Sequence, residues 1–104
     1  MSVESRTLRR SNTVFTRGVD PDNLVTVLYS NLLLTPEEKA RATQQTLTIH
    51  QKLEEIFRTM ERRISVTPGD LHVLIKALKA EPATKAVGDK IQEIYDEEHG
   101  KRQE

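Results

Sequence analysis

The chain has 104 residues, 36% apolar and 31% charged, with 16 basic against 16 acidic side chains and no cysteine or tryptophan. That length suits one domain with a modest core, and the missing cysteine excludes disulfides, thiolate zinc sites and cysteine nucleophiles and points to the cytosol or nucleus, with a cytoplasmic setting expected. Zero net charge gives no bulk pull toward nucleic acid or anionic lipid, and no apolar run approaches the roughly 18 residues that span a membrane.

Leu8 and Phe15 lie seven apart with Val14 beside them, which predicts a first helix over 4–17, interrupted near Ser11 and Asn12. Gly18 then reads as a helix stop. Asp20-Pro21-Asp22 opens the second helix. Its first aspartate caps the free N–H groups, proline sits where no hydrogen bond is lost, and the next acid meets the positive helix end. Leu24, Val27, Leu28 and Leu32 follow at helical spacing. Thr35-Pro36-Glu37-Glu38 has the same form and opens a short, mostly polar third helix with Ala40 and Ala42.

Thr48 to Gln51 fits a capping box. After it Ile49, Leu53, Ile56, Phe57, Met60 and Ile64 mark the apolar stripe of a fourth helix, expected to run to Arg63. Thr67-Pro68-Gly69-Asp70 opens the fifth, with Leu71, Leu74, Ile75 and Leu78 inward. Pro82 separates it from a last helix carrying Val87, Ile91, Ile94 and Tyr95, inside which Gly88 costs stability. Gly100 reads as a stop, and the polar chain beyond Glu98 is expected to fray. No segment alternates as a half-buried strand does, so the prediction is an all-α fold of six helices. The domain spans residues 1–98, and 99–104 is a polar tail marking a linker boundary.

Charge is segregated although it sums to zero. Arg6, Arg9, Arg10 and Arg17 precede Val19 against Glu4 alone, whereas residues 20–38 hold only the acids Asp20, Asp22, Glu37 and Glu38. The fourth helix and its approach are basic again, and Arg58 and Arg62 project opposite the apolar stripe. Such a pattern predicts positive and negative surfaces on different sides, able to meet head to tail in an open assembly. Pairing of Arg58 with Glu54 or Glu55 within the helix, and capping by Asp20, Glu37 and Glu38, are the structural alternatives.

Catalytic and cofactor motifs are missing. His50, His72 and His99 fall on separate helices without metal spacing and read as surface residues, the glycines are isolated, and no nucleophile motif surrounds a serine. The chain therefore reads as no enzyme, without cofactor, metal, small-molecule substrate or membrane partner. A small helical nucleic-acid-binding domain using Arg6, Arg9, Arg10 and Arg17 is one alternative, opposed by the net charge and by the lack of a basic recognition helix. A purely structural helical domain of a larger protein is another.

Two stretches carry a family likeness: DPDNLVTVLYSNLLLTPEEKARATQQ before the long fourth helix, and TPGDLHVLIKALKAE before the last. Leu24–Leu34 with Thr35-Pro36-Glu37-Glu38, the polar Thr43-Gln44-Gln45, and Asp70–Leu78 ending in Lys76-Ala77-Leu78 resemble the caspase recruitment domain (CARD) of the death-fold superfamily, over about residues 5–97. The resemblance implies a six-helix antiparallel Greek-key bundle. It also implies homotypic CARD–CARD contacts, with itself or with other CARD-containing proteins, in apoptotic or innate-immune signalling, including helical or filamentous assemblies. The family's basic surface would fall on Arg10, Arg17, Arg58 and Arg62. Its acidic surface would fall on Asp20, Asp22, Glu37 and Glu38.

Overall fold

A computed structural model describes residues 2–17 and 19–103. Among these there are seven helices and no strand: α1 (Val3–Arg10), α2 (Asn12–Thr16), α3 (Pro21–Ser30), α4 (Pro36–Ala42), α5 (Ile49–Val66), α6 (Asp70–Ala80) and α7 (Lys85–Gln103). The radius of gyration is 13.0 Å, close to the ~13 Å expected when about 100 residues share one core. The predicted stop at Gly18 lies outside the described residues.

The seventh helix arises because the predicted first one is broken in two at Ser11. That serine is fully buried. Its Oγ donates to the Thr7 carbonyl at 2.7 Å, and its N–H is shared between the carbonyls of Thr7 and Leu8. A hydroxyl bonding back into the preceding turn bends a helix. The bend lets α1 commit Leu8 and α2 commit Phe15 to the same interior, both fully buried.

Three starts form as their sequences predict. Asp20 Oδ1 accepts from the Asp22 N–H at 2.9 Å. Thr35 with Glu38, and Thr48 with Gln51, close reciprocal capping boxes. Thr67 does not cap α6. It ends α5, its N–H donating to Arg63 C=O at 2.8 Å, and a turn over 67–70 with Asp70 N–H on Thr67 C=O delays α6 to Asp70. Gly69 precedes α6 with no side-chain cap, and α5 accordingly runs past Arg63 to Val66. At the other end α7 continues through Gly100 to Gln103, where fraying was predicted.

α5 packs on each of α1, α2, α3, α4 and α6, while α7 lies mainly against α1 and α6. Leu8, Phe15, Leu24, Leu28, Ile56, Met60, Leu71, Leu74, Leu78 and Ile91 are wholly buried. Phe15 and Phe57 meet edge to face with ring centres 5.8 Å apart, a favoured aromatic geometry. The junction of α6 and α7 is tight. Thr84 is fully buried, and its hydroxyl donates to the Leu78 carbonyl at 2.8 Å. A Cβ on Gly88 would stand 2.9 Å from the Lys79 backbone nitrogen and 3.0 Å from Leu78 Cβ, so glycine here permits close packing of α7 on α6.

Two predicted core residues turn outward. Ile49 opens α5 and is 66% exposed, because the apolar stripe closes only from Leu53 onward. Leu32 is 81% exposed, since α3 ends at Ser30 and the chain reverses. Leu33 N–H reaches the Leu28 carbonyl and Leu32 N–H the Tyr29 carbonyl, which makes a Schellman ending. Leu32 occupies its left-handed position with φ 62°, and Leu33 and Leu34 enter the core in its place.

Two substitutions test this geometry by urea or thermal unfolding. Leu32→Gly relieves the left-handed strain and should stabilise the fold by about 1 kcal/mol. Gly88→Ala, favourable on helix propensity alone, should destabilise it by about 1–3 kcal/mol because the methyl group overpacks α6. A stabilising Gly88→Ala would show that the two helices do not approach as described.

Candidate functional site

Among the described residues, the arginines divide into those with an ion-pair partner inside the chain and those without. Arg10 ends α1, where its guanidinium donates to Glu98 Oε1 at 3.0 Å and to Glu97 Oε2 at 2.9 Å, both on α7. The hydrogen bonds to Glu97 and then Glu98 raise its pKa further, so it stays charged. Arg6 approaches Glu98 at 4.0 Å and Arg9 approaches Glu61 at 3.8 Å. The basic character of α1 is thus met within the chain. Arg10, one of the residues expected on a docking surface, ties α1 to α7. Of the four N-terminal arginines, Arg6, Arg9 and Arg10 thus approach carboxylates of the chain, while Arg17 forms no ion pair among the described residues.

Arg17, Arg58 and Arg62 are exposed, and none forms an ion pair among the described residues. Arg58 does not take up the intrahelical pairing with Glu54 or Glu55. Glu54 Oε1 lies 2.9 Å from His50 Nε2, and Glu55 faces Arg41 at 3.9 Å. A shallow groove between α4 and α5 is lined by Arg41, Glu55, Arg58, Glu61 and Arg62. The structure therefore brings Arg58 and Arg62 together and adds Arg41 to them. No hydrogen bond or ion pair among the described residues joins Arg17, the C-cap of α2, to that group. Sequence reasoning passed over Arg41 because it lies on a different helix, and only the packing of α4 on α5 carries it there.

Among the acids, Asp20 and Glu38 cap helices as the structural alternative expects, while Asp22 and Glu37 are exposed and bear no ion pair among the described residues. The four do not form one patch. Asp20 and Asp22 begin α3, whose ten residues run ~15 Å. Glu38 lies near the other end, lining a groove with Arg62, Arg63 and Val66. The expectation of opposite signs on different sides is corrected here. Glu38 and Arg62 border the same groove because α4 folds back along the C-terminal half of α5.

Arg63 holds the loop that leads into α4. Its Nη2 donates to the Leu32 carbonyl at 2.9 Å and its Nε to Asp70 Oδ2 at 3.0 Å. One side chain thereby joins the end of α3 to the start of α6, and nothing in the sequence spacing marks it. The histidines are likewise not isolated from one another. His72 and His99 both pack on Tyr95, edge to face at 4.9 Å and stacked at 5.7 Å. No group of three or more His, Cys, Asp or Glu among the described residues is placed to hold a metal ion. No helix among them is long and apolar enough to cross a membrane. The chain matches no family model, no curated protein and no solved structure.

The division of the arginines has a measurable consequence. Arg10→Ala should lower the melting temperature and speed amide exchange in the last turns of α7. Arg58→Ala should change neither. Hydrogen-exchange mass spectrometry reads both, and equal effects would contradict the different roles assigned to the two residues.

Proposed function

We propose that the chain is a protein-interaction module of the CARD type, assembling with copies of itself or with other CARD-containing chains. In this reading α1 and α2 count as one broken helix, and the seven segments become the six of an antiparallel Greek-key bundle. The module works in the cytosol as an adaptor or oligomerisation scaffold for apoptotic or innate-immune signalling. It performs no catalysis, takes no cofactor and binds no small-molecule substrate.

One observation carries the reading. Arg58, with Arg41 and Arg62 beside it, is exposed and has no ion-pair partner among the described residues, and the same is true of Asp22 and Glu37 on α3 and α4. Charges left over after folding cost nothing in water and become favourable only against complementary charges on another molecule. An arginine suits that role because its planar fork pairs carboxylates bidentately. Complementary patches set register and association rate more than affinity. A contact in which the positive residues of one copy meet the negative residues of the next, without a two-fold axis between them, is heterologous and propagates unless its rotation closes.

The resemblance in Leu24–Glu38 and Asp70–Leu78 supports the same reading. The intramolecular pairing of Arg6, Arg9 and Arg10 weighs against the nucleic-acid alternative.

Sedimentation velocity over rising concentration tests the proposal. The wild-type chain should form species that grow with concentration and shrink as salt rises. Arg58→Glu should weaken this at least tenfold while leaving the melting temperature unchanged. A wild type that stays monomeric and binds no CARD chain refutes the reading.

A further inference from the structure

Leu32 and Val66 are the two most exposed large apolar residues of the described chain, at 81% and 82%. Arg63 connects their surroundings at one corner of the fold. Val66 lines the groove that also holds Glu38, Arg62 and Arg63, and the Arg63 guanidinium binds the Leu32 carbonyl at 2.9 Å. Leu32 has two costs in the isolated chain. Its left-handed backbone favours glycine, and its side chain exposes apolar surface that no element of the fold covers. A strained residue held in place by its surroundings points to use at that spot. Here the surroundings are specific, since Arg63 fixes the loop against α5 and α6.

We propose that this corner is a docking surface for a second copy of the chain, related by a two-fold axis. The charges around it select that occupant. Glu38 and Arg62 border the groove, and neither has an ion-pair partner among the described residues. An acidic ligand would face Glu38 and Asp70, and a basic one would face Arg62 and Arg63. A wholly apolar helix would bury Arg62 and Glu38 unpaired, at a high desolvation cost. The fitting partner carries an apolar centre with one acid and one base beside it, which describes this corner itself. In an isologous contact Arg62 of each copy meets Glu38 of the other, and Leu32 and Val66 are covered together. The patch is small, so the dimer is weak and depends on concentration. This contact is separate from the open assembly proposed above: it closes at two copies and turns on Leu32 rather than Arg58.

The experiment is sedimentation equilibrium of the full chain in the Arg58→Glu background, where open assembly is suppressed. A monomer–dimer equilibrium is expected. Leu32→Gly should weaken it at least tenfold while raising the melting temperature, so lost association cannot be blamed on lost folding. Arg62→Glu and Glu38→Arg should each weaken it, and an equimolar mixture of the two should restore it, because each new charge then faces its opposite. A chain that stays monomeric at the highest concentration overturns the proposal. So does a dimer that Leu32→Gly leaves intact, or an assembly through this corner that grows beyond two. The Arg58→Glu comparison with the wild type separately reads the open assembly, so the two proposals fail by different signatures.

Discussion

A chain of this length without tryptophan closes one core only if every helix gives its apolar stripe to the same interior. The largest buried side chains, Phe15 and Phe57, meet within it, and the other apolar residues are leucine, isoleucine, valine, methionine and alanine. Aliphatic packing of this kind leaves little slack. It brings α7 so near α6 that Gly88 has no room for a methyl group. It also bends the first helix at Ser11 so that Leu8 and Phe15 reach the same space. The outward charges follow from this constraint, because a helix whose whole apolar face is committed has only its polar face to offer.

That polar face divides by distance along the chain. Arg10 finds Glu97 and Glu98 some 87 and 88 residues away, closing the last helix on the first. Arg58 and Arg62 have no such partner among the described residues, and Arg41 joins them on the groove wall. Arg63, next to Arg62 in sequence, is consumed by Leu32 and Asp70. Adjacent arginines on one helix thus have opposite fates, one structural and one available.

Periodicity and caps were enough to read most elements. The stripes from Leu53 to Ile64 and from Leu71 to Leu78 repeat at a spacing only a helix buries, and Asp20, Thr35 and Thr48 cap as their sequences require. The failures share one cause: competition between local signals that only tertiary contacts decide. Thr67-Pro68 looks like a helix start, yet α5 extends far enough to claim Thr67 as its end. Leu32 continues an apolar stripe on paper, but the reversal after Ser30 turns it out and draws Leu33 and Leu34 inward. The charge blocks located the candidate surfaces only coarsely. Block counting cannot see that Arg10 has a distant partner, nor that α4 carries Glu38 to the edge of the Arg62 groove.

The central claim is that the core is complete within one chain while Arg58, Asp22 and Glu37 await charges on another. Amide NMR shifts of the labelled chain across a concentration series address it directly. The account predicts shifts that move with concentration at Arg58, Asp22, Glu37 and their exposed neighbours, while Leu24, Ile56, Leu74 and Ile91 hold still. Shifts that stay constant throughout, or that move together in those core residues, would contradict it.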